Sequence, residues 1–268
     1  MEMEPVKRLT KDVRAAVKGT GSRGLSQQEA RFLVDAYYQM QGNRIRADNQ
    51  VRSMSDSTEP HQVLDWLSAQ DRVLETQIKA ALDIYSMTNV VGEWSRSICG
   101  IGPVIAAGLL AHIDIKQAPT VGHIWSFAGL NPKQTWRRGQ KRPWNASLKT
   151  LCWKMGESFV KVKSREDGYY GRVYESRKAF EIEQNKSGAY GDQADAMLVA
   201  VPKHKQAATY KKRILPDSHI HMRAKRYAVK LFLAHWHEKA FEHEYQRKPP
   251  MPYVIEHLGH GHYIAPPE

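Results

Sequence analysis

The chain has 268 residues, with 40 Lys and Arg against 28 Asp and Glu and a formal net charge of +12. That balance argues against an acidic partner and for a polyanion, nucleic acid first, while a hydrophobic fraction of 41% excludes a disordered chain. No apolar run approaches the ~20 residues of a membrane span, Met1-Glu2-Met3-Glu4 is not a basic-then-apolar leader, and Cys99 and Cys152 stand apart as reduced core thiols do. A cytoplasmic protein is expected.

Helical periodicity runs through most of the chain and no set of strands is legible, so the expected class is all-α. Residues 1–24, basic and broken by Gly19-Thr20-Gly21, read as a flexible arm. Residues 25–89 read as a helical hairpin or coiled coil. Ser26-Gln27-Gln28-Glu29 has the form of a capping box, with Leu33, Val34 and Tyr37 on one face of the helix it opens. Thr58-Glu59-Pro60 opens the second helix, where Val63, Leu64, Leu67, Leu74, Ile78, Ala81, Leu82 and Tyr85 keep a seven-residue rhythm. A two-helix hairpin rarely buries its apolar face alone, which predicts a homodimer or higher oligomer.

Residues 90–162 carry the strongest local signal. In Ile98-Cys99-Gly100-Ile101-Gly102-Pro103-Val104, one helix closes and another begins, as in a helix-hairpin-helix. Gly100 and Gly102 permit a positive-φ corner and Pro103 suits the first turn of the next helix, leaving the amides of Ile101, Gly102 and Val104 for a phosphate. A short helix capped by Thr120 runs to Phe127 and stops at Ala128-Gly129-Leu130-Asn131-Pro132. The next stretch, with Trp136, Arg137, Arg138, Lys141, Arg142 and Trp144, is too charged and too rich in Gly and Pro for regular structure. Guanidinium and ammonium groups interleaved with indoles suit a phosphate backbone with exposed bases beside it. Asn145 then caps a helix with Leu148, Leu151, Cys152, Met155 and Phe159 on one side.

Residues 163–215, hydrophilic and studded with tyrosines, read as a helical insertion or arm. Lys203, Lys205, Lys211, Lys212 and Arg213 form a basic cluster within it. Residues 216–248 form a long C-terminal helix. There Arg223, Arg226 and Lys230 make a basic stripe opposite Ile220, Ala224, Tyr227, Leu231 and Ala234. Residues 249–268 are an irregular tail. His235 and His237 face different sides of a helix, and with His257, His260 and His262 they match no zinc spacing, so neither metal nor cofactor is expected. Trp94, Trp125, Trp153 and Trp236 read as core residues.

Gly100-Ile101-Gly102-Pro103, then Ala128-Gly129-Leu130 with Pro132, then a basic loop holding Gly139, then Asn145 with Leu148-Lys149, resembles the C-terminal domain of the bridge-RNA-guided insertion-sequence transposases over residues 90–162. The resemblance implies DNA recombination: a helical domain that supplies a serine nucleophile to an N-terminal RNase-H-like domain bearing four acidic residues. Two departures stand out. Arg138 precedes Gly139 where the family has its serine, and Asp12, Asp35, Asp48 and Asp65 lack a strand pattern and read as solvated surface charges. An arginine binds phosphate but forms no phosphodiester to it.

The expected protein therefore binds DNA, or a DNA and RNA junction, without cutting it. It would do so through Gly100, Ile101, Gly102, Trp136, Arg137, Arg138, Lys141, Arg142, Trp144, Lys149, Arg223, Arg226 and Lys230. Two other readings stay open. One is an active recombinase or nuclease subunit that uses Ser147 or a separate catalytic protein; the other is an architectural or inhibitory protein whose partner is a protein.

Overall fold

The structure, a computed structural model, describes residues 11–19, 24–54, 62–250 and 263–267. Among these residues there are eleven α-helices and no strand, so the fold is all-α. The described residues divide into two compact units, one drawn from residues 11–97 and 101–116, the other from residues 98–100 and 117–267.

The first unit holds α1 (Lys11–Lys18), α2 (Gln27–Met54), α3 (Gln62–Ser86), α4 (Val90–Ser97) and α5 (Pro103–His112). The capping box opens α2 as its residues dictate: the Ser26 amide donates to Glu29 at 2.8 Å, and the Glu29 amide returns a bond to Ser26 Oγ at 3.2 Å. Val34 packs with Leu82, Arg44 pairs with Glu75 at 2.6 Å, and Ser68 donates to Asp48 at 2.7 Å, the register of an antiparallel pair. Helix α5 is apolar around its circumference and is accordingly buried, with Val104 and Ala107 against Val34 and Leu82. Part of the seam expected to need a second copy is thus covered within the chain.

Two expectations change in this unit. Lys11–Lys18, read as flexible arm, is helical, because Val17 is buried and α1 packs on α3. Asp48, read as a solvated charge, accepts from Ser68 and pairs with Arg44 and Arg72, tying α2 to α3. The rest of the arm and Thr58-Glu59-Pro60 lie outside the described residues. No helix among the described residues is long and apolar enough to cross a membrane.

The second unit holds α6 (Val121–Phe127), α7 (Ala146–Lys161), α8 (Tyr169–Lys186), α9 (Gly191–Ala200), α10 (Ala207–Tyr210) and α11 (Asp217–Tyr245). Helix α11 is its axis, packed on α6, α7 and α8, and buried over most of its length. Tyr170 stacks on Phe159 with ring centroids 5.0 Å apart and meets Phe232 edge-on at 5.2 Å, beside the buried Trp236. The segment expected as an insertion or arm therefore supplies core: Tyr170 and Tyr174 fall on the one face of α8 that meets α11.

Two buried histidines of α11 are bonded within the fold. His235 is buried, with Tyr170 Oη 2.7 Å from Nδ1 and the Ile264 carbonyl 2.9 Å from Nε2. A neutral ring satisfies both by donating from Nε2 and accepting at Nδ1. Burial holds this histidine down to about 4, against a smaller upward pull from the Ile264 carbonyl. His237 Nε2 meets the Ala118 carbonyl at 2.8 Å. His257, His260 and His262 lie outside the described residues, among which no group of three metal-ligating side chains occurs. Trp153, expected in the core, is instead 48% exposed, with Lys154 and Lys225 near its ring.

Candidate nucleic-acid interface

The glycine corner joins α4 to α5. Gly100 has φ +94°, the left-handed backbone a tight reversal needs, and a Cβ there would meet the Val162 side chain at 3.2 Å. Gly102 departs from expectation: at φ −87° and ψ 175° it is extended, open to any residue, and nothing lies within 4 Å of where its Cβ would stand. Neither conformation nor packing requires glycine there. The corner's carbonyls are occupied, Gly100 by Ser158 Oγ at 2.5 Å, Ile101 by Arg96 at 3.0 Å and Gly102 by the Ala106 amide at 3.0 Å. At the start of α5, Gly102 is the N-cap, no side chain caps the helix among the described residues, and Pro103 has no N–H to satisfy.

The basic loop belongs to the second unit. It starts from α6, where Gly129, at φ +65°, lets the chain leave the helix; a Cβ there would stand 2.9 Å from Trp144 and 3.0 Å from Lys149. It ends where the Asn145 amide donates to the Phe127 carbonyl at 2.9 Å and its side chain caps α7 by accepting from the Leu148 amide at 2.8 Å. The loop is pinned at both ends and its cations face outward. Arg137, Arg138, Lys141 and Arg142 are exposed, and none has an ion pair among the described residues. Trp136 donates to the Gln140 carbonyl at 2.7 Å, with the Arg142 guanidinium 5.1 Å from its ring. The Lys149 ammonium sits 3.8 Å from the Trp144 ring.

Residues far apart in sequence extend this surface. Lys230 of α11 lies 4.1 Å from the Trp125 ring, and Trp125 Nε1 donates to the Lys230 carbonyl at 3.1 Å. The Lys149 ammonium is held below its usual range by burial, then by Arg142 and by Arg226. Lys230 is held down by burial and then by Arg226, and Arg226 itself by burial and then by Arg223, against a smaller upward pull from Glu181. Lys149 therefore feels the charge of Arg142 and Arg226, and Lys230 that of Arg226, while none of these four side chains makes an ion pair among the described residues.

Arg223, third of the expected stripe, is committed elsewhere. It donates to the buried Glu181 at 2.6 Å, where Arg177 and the Tyr190 hydroxyl also converge. The Lys203–Arg213 cluster is partly neutralised, since Arg213 pairs with Asp192 at 2.7 Å and Asp195 at 3.0 Å. Thr120 stands at the N-cap of α6 but makes no capping bond; its hydroxyl meets His123 Nδ1 at 2.9 Å instead.

Ser147 lies exposed in the first turn of α7, where there is no preceding turn for its hydroxyl to bond; Thr150 makes that kind of bond, to the Ala146 carbonyl at 3.0 Å. Sequence alone does not single out Phe127. It is the last residue of α6 and is 43% exposed beside the loop. With Lys141, Arg142, Pro143, Trp144 and Asn145 it lines an open groove of about 470 Å³.

Residues 95–155, from the end of α4 through the corner, the loop and most of α7, match the model of the Transposase IS116/IS110/IS902 family. Over this segment, about a quarter of the chain, the protein is similar to that family. No curated protein and no solved structure matches the chain.

Proposed function

We propose that this protein binds nucleic acid, DNA or a DNA and RNA junction, as the holding part of a transposition assembly. The observation that carries the reading is the unneutralised cluster of Arg142, Lys149, Arg226 and Lys230. Lys149, Arg226 and Lys230 are held below their usual ranges, by burial first and by neighbouring cations second, and the free protein offers them no ion pair among the described residues. A polyanionic backbone relieves that repulsion and adds counterion release. The similarity to a transposase family makes DNA the first polyanion to test. The uncapped start of α5 and the open space at Gly102 would accept a further phosphate.

With Arg138 where the resemblance places the nucleophile, the loop holds strands without cutting them. A second reading, cutting through Ser147, rests on its exposed hydroxyl at the start of α7. It predicts a covalent protein–DNA adduct that Ser147→Ala abolishes. The primary test is fluorescence anisotropy with labelled duplex across a salt series. The chain should bind with a steep salt dependence, and Arg142→Gln with Arg226→Gln should weaken binding and reduce the salt slope by about 1 for each phosphate that is no longer neutralised. Unchanged affinity and slope in the double variant would end the proposal.

A further inference from the structure

We propose that the groove lined by Phe127 and Trp144 receives a single unstacked nucleobase, so that this surface prefers nucleic acid carrying an extruded or bulged nucleotide over uninterrupted duplex. The inference rests on the nucleic-acid reading above and names the substrate class of the same surface.

The groove combines two properties. Phe127, Pro143 and Trp144 give it apolar, flat lining, and Lys141 and Arg142 give it cations without carboxylate partners among the described residues. A base offers the complement: a π-face for the aromatic lining and a phosphate on either side for the cations. At about 470 Å³ the groove is roomy enough for one nucleotide, and it opens to solvent rather than into the core.

Phe127 is the deciding residue. Helix α6 is already anchored by the buried Val121 and Ile124 and by the Trp125 bond to α11, so the fold does not need a further aromatic there. The ring is nonetheless exposed, and no aromatic or cationic group stacks on it among the described residues. Trp144 is held in place, because Lys149 lies over its ring and Gly129 leaves no Cβ to displace it. The groove is therefore open before binding rather than formed by it. Stacking reads a π-face and not a hydrogen-bond pattern, so the preference should be for the distortion, largely independent of base identity. Arg142 belongs both to the groove and to the cation cluster, which places a phosphate site next to the base site.

The test compares a fully paired duplex with the same duplex carrying one bulged 2-aminopurine, titrated with the full chain at fixed salt. Expected are about tenfold tighter binding of the bulged duplex and quenching of its 2-aminopurine fluorescence as the base stacks. Phe127→Ala should remove the preference while leaving duplex affinity and salt slope unchanged, and Phe127→Trp should keep it. Arg226→Gln should weaken both probes alike. Equal binding of the two probes by the unaltered chain, or an equal loss of both in Phe127→Ala, overturns the base site while leaving the nucleic-acid reading standing. Failure to bind either probe at low salt overturns both.

Discussion

Helix α11 supplies arginines to two clusters that look alike in sequence and differ in physics. Arg223 joins Arg177 and Tyr190 around the buried Glu181, where three donors satisfy one carboxylate. One turn on, Arg226 and Lys230 join Arg142 and Lys149; Arg226 still feels Glu181 from a distance, but none of the four makes an ion pair among the described residues. The first cluster is closed and holds α8 and α11 together. The second is open, its charge left for something outside the chain. A basic stripe at helical spacing thus mixes structural cations with available ones, and only the carboxylate from another helix separates them.

The comparison breaks most sharply at Glu181. Removing a buried carboxylate leaves Arg223 and the Tyr190 hydroxyl without their acceptor, so Glu181→Ala should cost about 3–5 kcal/mol in a denaturant titration. Nucleic-acid affinity of the protein that remains folded should be preserved. A fall in affinity with no loss of stability would reverse the roles assigned to the two clusters.

Acid should reproduce that loss in weaker form. Burial pushes the Glu181 carboxyl up, but bonds from Tyr190, Arg223 and Arg177 outweigh it and leave the group below its usual range. Between the lowered folded value and the ordinary unfolded one of about 4.3, the unfolded chain binds more protons. The contribution is therefore fully present above that ordinary value and is lost as pH falls through the folded one. Glu181→Gln should flatten this limb of the stability profile below about pH 4.3.

Gly129 tests whether the open cluster depends on its frame. An alanine there meets both a positive φ and the Trp144 ring at 2.9 Å, so Gly129→Ala should cost about 1–3 kcal/mol and disturb the loop. By contrast, Arg226→Gln with Lys230→Gln should change thermal stability by no more than about 1 kcal/mol, since it removes repulsion and breaks no ion pair among the described residues, but gives up the Lys230 contact with the Trp125 ring and the weak pull of Glu181 on Arg226. Affinity for duplex DNA should fall in the same variant. A larger loss of stability would show that these two cations are structural after all.

How much of this is legible in sequence divides along the same line. Local signals hold where the physics is local: Ser26 with Glu29, and Asn145 with the Leu148 amide, mark helix starts because the partners lie within one turn. The irregularity of the basic loop follows from its own Gly, Pro and charge. What stays hidden depends on residues far away. Arg223 cannot be told from Arg226 without Glu181, 42 positions earlier. Helix α8 reads as an arm because its mean character is polar, although Tyr170 and Tyr174 suffice to seat one face of it. Trp153 reads as core on an apolar helix face, yet it is 48% exposed, and nothing in its own sequence neighbourhood tells which faces of α7 are covered.

Gly102 carries the smallest stability effect and the sharpest distinction. Alanine fits its φ and meets no atom within 4 Å. Losing glycine at an N-cap costs something, and reducing the freedom of the unfolded chain returns about 0.4–1 kcal/mol, so Gly102→Ala should be near neutral in denaturation. A methyl group nevertheless stands in the space that an approaching phosphate would use. A loss of duplex affinity in a variant of unchanged stability would therefore assign a backbone contact to the corner, in addition to the α11 cluster. Unchanged affinity would remove the corner from the interface and leave the loop, α7 and α11 to hold the strand by themselves.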